Sequence, residues 1–319
     1  LSVHAGFAAI GAAQTDATAM TATHAGGFVP LRVALVEAEA ALAVAGVESP
    51  RREARLLAAF ALGTTAAELA LARPDTAVPA VAFRDSVARR ARREPFAFIT
   101  GRRGFWDFEL AVSAATLIPR PESETLIEAA RAAFADAGQV QRVLDLGCGT
   151  GCLLLAALRV FPGAFGVGID LAPDAASLAA RNAADLGLAG RAAFLAGDWA
   201  SPVAGRFDLI LCNPPYIPDG HIAGLAPEVA AFEPRRALAG GGEGLDAYIS
   251  VIPTLSGLLS SAGVAVLELG TGQAAAASEI VRQAGFAAPE TRRDLLGIHR
   301  ALILRPAGEK TFGRAASSG

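Results

Sequence analysis

The feature that most constrains this chain is a succession of short apolar runs from Val140 onward, separated by stretches of helical periodicity. Val143-Leu144-Asp145-Leu146 reads as a buried strand, then come Gly147-Cys148-Gly149-Thr150-Gly151 and an apolar helix from Cys152 to about Val160. Phe165 to Ile169 is a second strand, ended by Asp170, and Ala193 to Ala196 a third, ended by Gly197-Asp198-Trp199. Phe207 to Cys212 is a fourth, stopped by Asn213-Pro214-Pro215-Tyr216. Val264 to Leu269 and Arg300 to Leu304 close the series, and helices are expected from Pro173 to about Leu186, from about Leu245 to Leu259 and up to Gly285. Strands alternating with helices predict an α/β fold with a doubly wound, mostly parallel sheet. Its ligand belongs at the carboxyl ends, where the strand order reverses.

What stands at those ends carries chemistry. A Gly-x-Gly-x-Gly turn lets a ligand approach the backbone with no Cβ in the way. Asp170, about twenty residues further on, is placed to accept hydrogen bonds from a ribose diol. The spacing differs from the dinucleotide Gly-x-Gly-x-x-Gly and suits a nucleoside without a pyrophosphate, S-adenosylmethionine being the obvious case. With Asp145 before the turn and Asp170 after it, cofactor binding is expected here. Asp198 and Trp199 suit an adenine, carboxylate to the exocyclic amine and indole to the ring face.

Asn213-Pro214-Pro215-Tyr216 makes a stiff strand tip. Asn213 precedes a proline and is pushed into the extended region. Pro214 and Pro215 have no N–H to give to a ladder. What remains is rich in acceptors and suited to holding an NH2 group.

Composition narrows the classes. The chain has 319 residues, 53 % hydrophobic and 18 % charged, enough for about two domains with a large core. A formal net charge of −3 argues against an electrostatic grip on nucleic acid. The cluster Arg89, Arg90, Arg92 and Arg93 reads as a solvated helix face. Three cysteines, Cys148, Cys152 and Cys212, give neither a disulfide framework nor zinc spacing, and no metal is expected. No run is long and uncharged enough to span a bilayer. Residues 1–28 lack the basic start of a secretory signal and are expected to be a loose extension. Translation starting at Met20 is a further possibility, Leu1 being an unusual first residue.

Residues 29–93 read as a helical bundle. One helix starts at Leu31 and ends at Gly46, and Ser49-Pro50 caps a second that turns Leu56, Leu57 and Phe60 inward. Thr65 with Glu68 forms a capping box for a third, and the fourth runs from about Val78 to Arg93. Residues 94–119 are expected to link the domains as a β-hairpin, with Phe96–Gly101 pairing with Phe105–Val112. Glu122 and Glu124 fall in the first turn of a following helix, where acidic residues complement its dipole. Ile217 to Gly242 is long enough for a lid or partner-binding flap. Residues 120–306 form the second domain, and 307–319 a flexible tail.

Asp145 to Gly151, Asp170, Asp198-Trp199 and Asn213 to Tyr216 together resemble a class I S-adenosylmethionine-dependent methyltransferase of the amino-group type. Phe98-Ile-Thr-Gly101, Phe105-Trp106 and Leu117-Ile-Pro-Arg-Pro-Glu-Ser-Glu124 closely resemble the HemK/PrmC family, the release-factor glutamine methyltransferases. The resemblance runs from the helical bundle to about Leu304 and implies a seven-stranded sheet. It implies that Gly147, Cys148, Gly149, Thr150 and Gly151 hold the methionine end of the cofactor, Asp170 the ribose, and Asp198 and Trp199 the adenine. Asn213 and Pro214 would bind the substrate amide, Asn213 touching the cofactor as well, with Pro215 and Tyr216 lining the amide's pocket. The implied substrate is the glutamine of the Gly-Gly-Gln loop of bacterial class 1 peptide chain release factors, gripped by the N-terminal bundle. A cytoplasmic monomer that meets neither membrane nor nucleic acid is expected. The alternatives are a ribosomal-protein glutamine methyltransferase, a nucleic-acid amino methyltransferase acting on adenine or guanine, and a cofactor-binding scaffold without catalysis.

Overall fold

Strands that are apolar on both faces need helices on both sides, and the second half of the chain provides them. The structure, a computed structural model, describes residues 27–307. Of the expected extension and tail, only Gly27, Phe28 and Ala307 fall within those residues. The chain divides into two compact units that part between Arg92 and Arg93.

In the first unit, β1 (Phe28–Pro30) pairs antiparallel with β2 (Ala77–Pro79), so Phe28 belongs to a strand rather than to a loose extension. The helices are α1 (Leu31–Val44), α2 (Pro50–Leu62), α3 (Ala66–Ala70) and α4 (Ala80–Ala91). The box at α3 forms as expected: Thr65 Oγ1 accepts the Glu68 N–H at 3.1 Å and Glu68 Oε2 accepts the Thr65 N–H at 2.9 Å. Ser49 is different. Its side chain makes no cap, its φ is 52°, and its backbone carbonyl takes the first N–H groups of α2 instead. The inward face of α2 is built from Ala54, Leu57 and Ala58, while Phe60 stays 44 % exposed. Small residues let these helices approach closely. Arg90 is not on a solvated face either; it is buried and pairs with Glu53 at 3.1 Å.

The second unit opens with α5 (Phe96–Thr100), where a strand was expected. Pro95 precedes its first turn and Gly101, at φ 71°, terminates it, so the alternation of Phe96, Phe98 and Thr100 belongs to one and a half helical turns. The hairpin is shorter, β3 (Arg102–Phe105) with β4 (Phe108–Ala111), and turns at Trp106-Asp107. Glu124 Oε1 accepts the Trp106 N–H at 2.9 Å and so fastens that turn.

The sheet contains β5 (Arg142–Leu146), β6 (Phe165–Asp170), β7 (Ala192–Ala196), β8 (Phe207–Cys212), β9 (Leu259–Glu268), β10 (Glu290–Arg293) and β11 (His299–Leu304). Their order is β7-β6-β5-β8-β9-β11-β10. The first five run parallel, β11 pairs antiparallel with β9, and β10 antiparallel with β11, so that β11 alone runs against the others. Helices α6 (Glu124–Ala133), α7 (Cys152–Val160) and α8 (Pro173–Asp185) accompany one face, α10 (Asp246–Leu258) and α11 (Ala274–Gln283) the other; α9 (Pro227–Phe232) lies in the loop after β8. Two apolar cores result, one around Leu154, Leu158 and Leu126, the other around Tyr248, Ile252 and Leu267. The chain crosses to one side after β5 and to the other after β8. Their carboxyl ends therefore diverge into a crevice.

Candidate active site

The glycine turn at the end of β5 adopts positive φ at Gly147 (74°), Gly149 (54°) and Gly151 (82°), a region that disfavours side chains. The three glycines differ in use. A Cβ on Gly151 would lie 3.1 Å from Ala179 Cβ and 3.3 Å from Leu155 and Phe194, so this glycine allows α7 to pack. A Cβ on Gly147 would instead project toward Trp199 (3.8 Å) and the Asn213 carbonyl (3.9 Å), and one on Gly149 would meet only Thr116, at 4.0 Å. Those two keep the cavity floor bare.

Asp170, ending β6, is tied down by backbone donors: Gly149 N–H to Oδ2 at 2.8 Å and Ala172 N–H to Oδ1 at 2.9 Å. Each oxygen retains a lone pair, and the residue lines the cavity. Asp198 and Trp199 enter from the end of β7. Trp199 holds its indole there at φ 46°, a strained backbone for a bulky residue. Gly147, Cys148, Gly149, Thr150, Asp170, Asp198, Trp199, Asn213 and Pro215 thus meet around one cavity.

Asp145, Gly151, Pro214 and Tyr216 are not among the residues around it, although Pro214 stands between two that are, Asn213 and Pro215. Asp145 lies wholly buried beneath the turn, where Oδ2 accepts the Leu154 N–H at 3.2 Å and Oδ1 has no partner among the described residues. It supports the turn instead of touching a ligand. Burial pushes its carboxyl up from 3.8 to about 7. Raised in this way, the folded state keeps its proton after the unfolded chain has lost its own. Stability of the ligand-free protein should therefore fall between about pH 4 and 7, by at most ~4 kcal/mol from this group. In Asp145→Asn that dependence should vanish. Denaturant unfolding of both proteins across this window checks it, and parallel profiles would show that Asp145 ionises normally.

Tyr216 was expected in the substrate pocket, but its hydroxyl donates to Glu268 Oε1 at 3.1 Å. Glu268, 1 % exposed at the end of β9, also accepts the Ser123 hydroxyl through Oε2 at 2.5 Å. Ser123 in turn accepts Asn213 Nδ2 at 3.2 Å. Among the described residues no donor bonds Asn213 Oδ1 or the Pro214 carbonyl, so both acceptors remain available. Cys148 and Cys152 offer no nucleophile. Burial drives both thiols upward, Cys152 to about 12.

The loop after β8 is tied at several points. Glu233, its side chain 1 % exposed, pairs with Arg120 at 2.5 Å and accepts the Ile118 N–H at 3.2 Å. Arg236 donates to the Ala115 carbonyl at 2.6 Å, and Glu228 pairs with Arg93 at 2.7 Å. Arg120, Ser123 and Arg236 line the cavity, and sequence reasoning did not place them there. Glu268 had a signal, because it ends an apolar strand as Asp170 does. Ser123 lay unassigned within the Leu117–Glu124 block.

Bare glycine backbone, a carboxylate with lone pairs to spare, and an indole beside a second carboxylate fit a nucleoside carrying an amino-acid arm. With the sheet order above, they define a class I methyltransferase fold. Residues 139–238 match a family described as a methyltransferase domain, and residues 33–101 the PrmC N-terminal domain. The release factor glutamine methyltransferase of Rhodospirillum rubrum is 50 % identical over 266 residues, covering 83 % of this chain and 81 % of that one. That of Cereibacter sphaeroides is 43 % identical over 267 residues, covering 83 % and 94 %. The chain belongs to the release factor glutamine methyltransferase family. Among solved structures, the hMettl16 catalytic domain shares the fold at 16 % identity, with a TM-score of 0.54 over 70 % of this chain and 83 % of that one. Among the described residues no helix is long and apolar enough to cross a membrane, and no cluster of His, Cys, Asp or Glu could hold a metal ion.

Proposed function

We propose that this chain methylates the side-chain amide nitrogen of the glutamine in the Gly-Gly-Gln loop of class 1 peptide chain release factors, using S-adenosylmethionine. One observation carries the reading: two unengaged acceptors, Asn213 Oδ1 and the Pro214 carbonyl, at a strand tip beside a bare glycine turn. The cofactor supplies a methyl group made electrophilic by its sulfonium. Gly147 to Thr150 receive its methionine end, Asp170 the ribose hydroxyls, and Asp198 and Trp199 the adenine.

A carboxamide nitrogen is a poor nucleophile, since its lone pair is delocalised into the carbonyl. Asn213 Oδ1 and the Pro214 carbonyl each accept one amide hydrogen. That aims the lone pair and favours the positive charge growing on nitrogen. Neither residue has to take a proton before the methyl group transfers, and no general base is assigned. Pro215 and Tyr216 set the shape of the tip. The helices of residues 29–93 grip the release factor, and the reaction takes place in the cytoplasm on a monomeric enzyme.

Incubation with S-adenosylmethionine and purified release factor should add one methyl group to the peptide containing Gly-Gly-Gln, read by mass spectrometry. A release factor with that Gln changed should stay unmodified. Labelling of ribosomal protein or DNA instead, with no label on release factor, would overturn the reading.

A further inference from the structure

An asparagine side chain presents an acceptor or a donor according to which way its amide is turned, and the two orientations have nearly the same shape. We propose that Ser123 and Glu268 are positioning residues that hold Asn213 with its carbonyl oxygen toward the cavity. The proposal rests on the function given above. It concerns why the amide-binding site accepts hydrogen bonds where it could as easily have donated them.

A single proton sets the orientation. Glu268 ends β9 with both oxygens occupied, Oε2 by the Ser123 hydroxyl at 2.5 Å and Oε1 by the Tyr216 hydroxyl at 3.1 Å. A serine hydroxyl has one proton and two lone pairs. With the proton committed to the carboxylate, only a lone pair of Ser123 faces Asn213, and only Nδ2 can satisfy it, at 3.2 Å. Turned the other way, Oδ1 would meet that lone pair in a buried site, an unpaired and repulsive contact. Ser123 itself is fixed, 2 % exposed, in the Pro121–Ser123 turn with its N–H on the Arg120 carbonyl at 3.1 Å. One carboxylate therefore holds both ends of the Asn213–Tyr216 tip, Tyr216 directly and Asn213 through Ser123.

The ionised state of Glu268 sets the direction. If it took up a proton, it would donate to Ser123 Oγ, the serine proton would turn to Asn213, and the amide would invert. Its charged surroundings are Arg300, which pairs with Asp294 at 3.0 Å, and Glu122; Tyr216, Ser123 and Tyr248 supply hydroxyls, the last on the Glu268 backbone carbonyl, and the thiols of Cys212, on the adjacent β8, and Cys152 also feel its charge. Burial pushes the Glu268 carboxyl above the usual range, against the pull of Ser123, Tyr216 and Arg300. Turnover should therefore fall on the acid side as this group takes up its proton.

The test uses the full chain with S-adenosylmethionine and release factor. Ser123→Ala should lower kcat about tenfold, the loss of one orienting hydrogen bond, with KM and calorimetric affinity for S-adenosylmethionine unchanged. Ser123→Thr, which keeps the hydroxyl, should restore kcat. Glu268→Gln should remove the acid limb of the kcat profile. In nuclear magnetic resonance of the protein alone, the Asn213 side-chain NH2 protons should exchange slowly in wild type and quickly in Ser123→Ala. Wild-type kcat in Ser123→Ala, a loss that Ser123→Thr fails to restore, or rapid NH2 exchange in the wild type would each overturn the proposal. If wild type left release factor unmethylated, the proposed function would fall, while the exchange measurement would still decide the orientation of Asn213.

Discussion

Asn213→Ala is expected to slow methyl transfer about a hundredfold, roughly 3 kcal/mol, while affinity for S-adenosylmethionine stays close to wild type. The separation follows from where the atoms stand. The surfaces proposed to receive the cofactor are the glycine turn, Asp170, Asp198 and Trp199, all of which line the cavity and which the substitution leaves in place. What is lost is Oδ1, one of the two unengaged acceptors proposed to take the hydrogens of the substrate amide. Without it one amide hydrogen goes unpaired as charge develops, and the lone pair is less well aimed. Single-turnover kinetics with release factor, alongside calorimetry with S-adenosylmethionine, separates the two effects. Equal single-turnover rates in wild type and mutant would remove Asn213 from the reaction.

Gly244→Ala is expected to have the largest effect on stability, ~3 kcal/mol or more, or a fall in Tm of roughly 5 °C. Gly244 has φ 76°, and a Cβ there would collide with the Tyr216 carbonyl and lie 2.7 Å from Gln273 Nε2. That amide bridges the Tyr216 and Gly244 carbonyls at 2.9 and 3.1 Å. Gly240 is crowded too, its Cβ position being 2.8 Å from the Pro215 carbonyl and 2.9 Å from Tyr216 Cα. The glycines therefore form a seat for the back of the Asn213–Tyr216 tip, and kcat should fall along with Tm. Gly242→Ala is the internal comparison, because a Cβ there meets nothing within 4 Å. A Gly244→Ala protein melting with the Gly242→Ala protein would show that the seat carries no strain.

That second result bears on how much a sequence discloses. Ile217 to Gly242 read as a lid or partner-binding flap from its length alone, which says nothing of what its glycines touch. At Gly240 and at Gly244, just beyond that stretch, glycine signals crowding against the Asn213–Tyr216 tip, while at Gly242 it does not. The parallel strands were legible because burial on both faces leaves continuous apolar runs, and Asp170, Trp199 and Asn213 stand where those runs stop. β10, reading Glu-Thr-Arg-Arg, was not legible. An edge strand exposed on one side need not be apolar. Phe96–Thr100 misled because five residues are too few to tell a period of two from one of 3.6. The Asn213–Ser123–Glu268 chain joins residues 90 and 145 positions apart, a distance no local pattern spans.

The proposed methyl transfer depends on two oxygens at the end of β8 taking the hydrogens of a substrate carboxamide. A crystal structure of the enzyme with S-adenosylhomocysteine and a peptide bearing Gly-Gly-Gln would examine this most directly. It should show the glutamine Nε2 within hydrogen-bonding distance of both Asn213 Oδ1 and the Pro214 carbonyl, with its remaining face toward the cofactor sulfur. A glutamine bound with its Oε1 toward Asn213, or held away from the Asn213–Tyr216 tip, would contradict it.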